Sequence, residues 1–160
     1  MSFLFYLIQE NHHETLEKAL KRVKFSSTTL GSALLLAVRL KRLRCTTHLL
    51  KHEISAPDKG WALWHAASNG YTKIVKQLLE YDGIASYSKK SALYIAFDNN
   101  NWRIFNLIWY SAEWSLEEKI EINQYIQTCG RIYTPCYKSF IPQEENKELK
   151  TNGHTLNKLR

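Results

Sequence analysis

The sequence predicts an all-α protein, a short α-solenoid of about four stacked helix–turn–helix repeats with a C-terminal capping helix. Three observations lead there. A six-residue frame recurs at intervals of 29 and 30 residues, the apolar residues within each copy keep helical spacing, and the frame stops after Trp114, where a new helix start is written.

The frame reads Ser32-Ala33-Leu34-Leu35-Leu36-Ala37, then Trp61-Ala62-Leu63-Trp64-His65-Ala66, then Ser91-Ala92-Leu93-Tyr94-Ile95-Ala96. Each copy is a small residue or Trp, Ala, Leu, a large apolar residue, a variable residue and Ala. Eight residues past the last alanine come Cys45, Ile74 and Ile104, and twelve past it come Leu49, Leu78 and Ile108. An upstream copy places Leu4, Phe5 and Ile8 in the first helix and Leu16, Ala19 and Leu20 in the second. It is aligned on Ile8, 29 residues before Ala37.

Within a copy, Ile74, Val75, Leu78 and Leu79 form one stripe of an amphipathic helix. Gly70 and Asn100 fall between the two halves, where a left-handed residue lets one helix end and the next begin. Lys41 holds that place in the second copy, which predicts a turn that is built differently or is strained. A unit of this kind cannot bury its own apolar face and must stack on its neighbours.

Residues 60–80, Gly-Trp-Ala-Leu-Trp-His-Ala-Ala-Ser-Asn-Gly-Tyr-Thr-Lys-Ile-Val-Lys-Gln-Leu-Leu-Glu, resemble an ankyrin repeat. The residues that match its pattern are Ala66, Ala67, Gly70, Ile74, Val75, Leu78 and Leu79. The resemblance extends over Phe3–Ala112 and is best in this central copy. It implies a concave surface of first helices and connectors that binds another protein. The chain departs from the pattern where Thr-Pro-Leu-His becomes Trp61-Ala62-Leu63-Trp64, so the Thr–His hydrogen bonds between repeats are missing. Leu35, Trp64 and Tyr94 are expected to replace them by packing. The short period implies loops in place of projecting hairpins, and a shallower groove.

Ser115 and Glu118 form a capping box, with Glu117 also in the first turn. Leu116, Ile120, Tyr125 and Ile126 continue a helical stripe to about Cys129, with Gly130 as its expected end. The domain reading is therefore 1–114 repeat array, 115–142 capping helix and irregular segment, and 143–160 mobile charged tail. Tyr133, Tyr137 and Phe140 would pack the irregular segment back. The tail's Glu144, Glu145 and Glu148 resemble the glutamate-rich export signals of effectors from intracellular bacteria such as Legionella, which implies export into a host cell cytosol.

Composition bounds the alternatives. There is no membrane-length apolar run, and there are only three cysteines, which suits a cytoplasmic protein. The apolar start, residues 1–8, lacks a basic leader and turns polar at Gln9, so it is not read as a signal peptide. No phosphate loop, nucleophile elbow or paired-carboxylate motif is present, so a non-enzymatic binding role without metal or cofactor is expected. His48 and His52 are one helical turn apart, but no third ligand is placed by sequence, and a solvated pair is preferred to zinc. Cys45 reads as repeat core. Trp64 reads as core too, whereas Trp61, Trp102, Trp109 and Trp114 fall nearer loops or outer faces.

The net charge of +7 has its excess in the N-terminal third. The patch Arg39, Lys41, Arg42 and Arg44 reads either as solvated cations around a turn or as a contact for an anion. Because the charge is local, a protein partner is preferred to nucleic acid or an anionic membrane. Ankyrin geometry places Leu7, Leu36, His65 and Ile95 outward, each just before the framing residue. Arg39 and Leu40, Ser68 and Asn69, and Asp98 and Asn99 lie beside them, and Trp61 joins the candidate face. The alternative is that the aliphatic row is half-buried against the connectors.

Overall fold

The computed structural model describes residues 3–133, with side chains to Cys129. Among these residues there are nine helices and no strand. Eight of them form four pairs: α1 (Phe3–Gln9) with α2 (His13–Arg22), α3 (Ser27–Arg39) with α4 (Leu43–Leu50), α5 (Ala56–Ser68) with α6 (Thr72–Leu79), and α7 (Ser86–Asp98) with α8 (Trp102–Trp109). First helices stack in the order α1, α3, α5, α7, and second helices in the order α2, α4, α6, α8. The result is a two-layer α-solenoid, and the repeats are joined by loops.

Local sequence explains the helix starts. Ser26 and Ser55 cap α3 and α5, their hydroxyls accepting from the amides of Thr29 and Asp58 at 3.2 Å, and Pro57 sits in the first turn of α5. Each first helix ends in the same way. The amides of His12, Arg42, Tyr71 and Asn101 donate to the carbonyls of Leu7, Ala37, Ala66 and Ala96 at 2.8–2.9 Å. The residue before each donor is left-handed: Asn11, Lys41, Gly70 and Asn100 have φ of 62°, 57°, 73° and 55°. This is a Schellman closure repeated four times. Lys41 therefore makes the same turn as Gly70 and carries the strain.

These turns correct the register of the first copy. Leu7, not Ile8, is the counterpart of Ala37, because it is Leu7 whose carbonyl closes the turn. Leu7 is only 2% exposed, so it does not point outward as ankyrin geometry suggested for it. Tyr6, 50% exposed, takes the outward position. Alignment on apolar character slipped by one here because Leu7 and Ile8 are both buried, and only the turn distinguishes them.

Ala37, Ala66 and Ala96 are fully buried, as are Leu4, Leu34, Leu63 and Leu93 three residues earlier in each first helix. The second helices bury Leu16, Cys45, Leu49, Ile74, Leu78, Ile104 and Ile108 against them. Small residues set how closely the first helices approach. A Cβ on Gly31 would collide with Asp58, and one on Gly60 with Ser88, which is the equivalent contact one repeat on. Polar ties cross the repeats in place of Thr–His bonds: Gln77 Nε2 donates to Thr47 Oγ1 at 2.6 Å, and Asn99 Nδ2 to the Ser68 carbonyl at 3.0 Å. Within repeats, Lys59 and Lys89 reach from the first helix to the carbonyls of Asp82 and Ser111, just past the second helix, at 2.8 and 3.0 Å.

The chain divides into two compact units, the first ending at Glu113 and the second beginning at Trp114. The second unit contains α9 (Leu116–Tyr133). Its start is the capping box: Ser115 N donates to Glu118 Oε2 at 3.0 Å, and Glu118 N to Ser115 Oγ at 3.2 Å. Two expectations for this helix are corrected. Gly130 does not end it, since a single glycine costs a helix only about 1 kcal/mol. Among its described side chains the buried ones are Ile122 and Ile126, one turn apart, while Leu116 is exposed. Trp114 is buried rather than outward. Tyr137, Phe140, the tail and its glutamates lie outside the described residues.

Candidate partner-binding face

In the first-helix layer, the outward column just before each turn-closing residue reads Tyr6, Leu36, His65, Ile95. Leu36, His65 and Ile95 are half-buried, whereas Tyr6 is open. Trp64 lies in the column before, half-buried rather than core.

Trp61 stands apart from this column. Its counterparts in the neighbouring repeats are Ser32 and Ser91, and all three positions are exposed. Trp61 is 63% exposed, so its indole is not needed for packing. Tyr87 follows the same logic: its counterparts are Thr28 and Pro57, both exposed, and it is itself 61% exposed. The two aromatics stand on neighbouring helices and line the same cleft. Pro57, Gly60, Trp61 and Trp64 of α5 and Tyr87, Ser88 and Ser91 of α7 line one cleft, which holds no charged side chain. The Trp61 and Trp64 rings stand edge to face, 6.2 Å between centroids at 76°.

The remaining expected face residues do different things. Asn69 donates to the His65 carbonyl at 2.9 Å and to its ring Nδ1 at 3.0 Å, which orients the imidazole. Asn99 is engaged with Ser68, as above. Arg39, Leu40 and Asp98 are exposed at the ends of the first helices. Neither Tyr6 nor Tyr87 was legible as a site residue from apolar periodicity. The signal that finds Tyr87 is an aromatic at a repeat position that is otherwise Thr or Pro.

The residues of the basic patch have different surroundings. Arg42 Nη2 donates to the Gln9 carbonyl at 2.7 Å and so joins the first two repeats. Lys41 Nζ sits 5.2 Å from the Tyr71 ring centroid. Arg39 and Arg44 are exposed on different helices. His48 is not part of a solvated pair either. It stacks on His13 at 6.2 Å between ring centroids, and its Nδ1 is 3.9 Å from Glu17 Oε2. Burial holds the His48 pKa below its usual value, with Glu17 opposing and Lys51, His13 and Lys21 adding to the depression. The Cys45 thiol, fully buried, is pushed up by desolvation, with Arg42 opposing, so it behaves as core.

These paired helices and their common turn define a helical-repeat binding scaffold. A family model for ankyrin repeats, in three copies, matches residues 34–118. The match covers more than half of the chain, which belongs to the ankyrin-repeat family. The α1–α2 pair, with the same turn, precedes the matched residues. No curated protein and no solved structure matches the chain. Ankyrin repeats are generic protein–protein interaction modules, and no helix among the described residues is long and apolar enough to cross a membrane.

Proposed function

We propose that the chain binds a partner protein through its first-helix face, with the cleft of Trp61, Trp64 and Tyr87 as the anchor. The observation that carries this reading is the placement of Trp61 and Tyr87. Both occupy positions that are exposed in every repeat described there, yet both line a single uncharged cleft. Large aromatics supply much contact area for little conformational entropy and are enriched among binding hot spots. Leu36, His65 and Ile95 extend the face along the stack, with Tyr6 at one end, and Arg39 and Asp98 add charge at its edge.

The experiment compares proteins captured by the wild-type chain with those captured by Trp61→Ala/Tyr87→Ala in the native cellular setting. Circular dichroism confirms that both remain folded. The double variant is expected to keep its melting temperature and to lose the specific partner. An unchanged set of captured proteins from a folded variant would overturn the assignment. The finer reading, an effector exported into a host cytosol, hangs on Glu144, Glu145 and Glu148. Removing residues 143–160 should then abolish export in a translocation assay, and normal export would discard it.

A further inference from the structure

The second-helix layer carries a feature that the first-helix face does not use. Arg44, Lys73 and Arg103 are each the second residue of their helix, in α4, α6 and α8. They are 29 and 30 residues apart, and all three are exposed. Because α4 packs on α6 and α6 on α8, the three cations form a line with one charge per repeat. Neighbouring packed helices lie about 8–10 Å apart, which sets the spacing of that line.

The placement is electrostatically inverted. A helix N-terminus carries partial positive charge and favours acids in its first turn. None of these three helices has an acid there, and α4 and α6 also lack a capping side chain. The equivalent residue of α2 is Glu14, the favoured sign. Among the described residues, none of the three cations has an ion pair or a hydrogen bond from its side chain. Lys41 and Lys73 line one cleft with Tyr71 and Thr72 and no carboxylate. Lys76 and Arg103 line the next, where Glu80 is the only acid. Unfavourable charge therefore recurs at one position in three successive repeats, and Glu80 is the only acid lining the two clefts beside it.

We propose that this column is a second interaction surface, separate from the first-helix face, and that it docks an acidic polypeptide segment. The spacing fits that chemistry. Carboxylates on every third residue of a polyproline II chain, or every seventh of a helix, recur on one face at roughly 9–10 Å. A nucleic-acid duplex presents about one charge per 1.7 Å and would leave most phosphates unmatched along a line one cation wide. Glu14 at one end and Glu80 at its flank limit the surface to a short segment.

The test uses the full chain and a fluorescent oligoglutamate peptide, followed by anisotropy at low and at physiological salt. The variant Arg44→Gln/Lys73→Gln/Arg103→Gln removes cations from helix N-termini, so its melting temperature should hold or rise. It is expected to bind the peptide about tenfold more weakly and with a shallower salt dependence. Lys18→Gln/Lys24→Gln/Lys51→Gln makes the same change in net charge elsewhere and should bind as the wild type does. Trp61→Ala/Tyr87→Ala should also bind normally, which keeps failure here distinct from failure of the first-helix assignment. The proposal is overturned by equal loss in both triple variants, or by no peptide binding to the wild type. Tighter binding to a DNA duplex or to phosphatidylserine vesicles at matched salt would overturn it too.

Discussion

Between its two helices the second repeat carries Lys41, and the third carries Gly70. Glycine enters the left-handed region freely, whereas an L-residue with a side chain is disfavoured there by roughly 1–2 kcal/mol. Both nevertheless adopt it, and both turns close with the same pair of amide–carbonyl bonds. In the second repeat the turn is therefore imposed by what surrounds it. Ala37 and Val38 are buried on one side of it and Cys45 and Leu49 on the other, and the two helices meet only if the chain reverses in that way. The Tyr71 ring beneath Lys41 Nζ offsets part of the strain. One repeat has its turn specified locally, while the other borrows it from the stack.

The largest effect is expected in the core. Leu49 and Leu78 are equivalent, and both are fully buried. Leu49→Ala and Leu78→Ala should each cost about 2–5 kcal/mol in chemical denaturation. Equal losses would show that the two repeats bear equally on a single cooperative unit. A tolerant Leu49 would mean that the repeat with the borrowed turn is the looser one, and a tolerant Leu78 would count against the register.

A smaller effect is expected from exchanging the turns. Gly70→Lys should destabilise by roughly 1–2 kcal/mol. Lys41→Gly relieves the strain but gives the unfolded chain more freedom, for a net gain of at most about 1 kcal/mol. Thermal melts of both variants and of the double exchange measure the two. If Lys41→Gly lowers stability, the Lys41–Tyr71 contact outweighs the backbone strain.

The smallest difference is in pH response. His48 of the second repeat is replaced by Gln77 in the third, so only one of the two equivalent positions titrates. The His48 pKa is lowered in the folded state, so the unfolded chain binds the proton more readily. Its contribution to stability is present in full above the unfolded pKa near 6.5, and is lost as pH falls from there toward the folded value. His48→Gln should flatten the stability–pH curve in that window. An unchanged curve would show that Glu17 balances the burial.

The cap of α9 was legible because Ser115 and Glu118 are local partners whose geometry follows from their spacing. The buried alanines were legible because small residues recur wherever the first helices must approach. Leu7 was misplaced because its character and that of Ile8 are the same, and the turn that separates them depends on Asn11. Tyr87 went unnoticed because its significance lies in its neighbour across the stack, Trp61, 26 residues away in sequence.

By itself the sequence determined the repeat period of the three later copies, the alternation of helices, and which alanines and leucines of their frame face inward, since each follows from spacing within one turn or one repeat. Tertiary structure decided the rest. It forced Lys41 into a left-handed turn and took up Arg42 as a tie to Gln9. It also set Trp61 and Tyr87 on one cleft and drew Arg44, Lys73 and Arg103 into one line. Each of these depends on which helix lies beside which, and stacking joins residues about one repeat apart that no local preference connects.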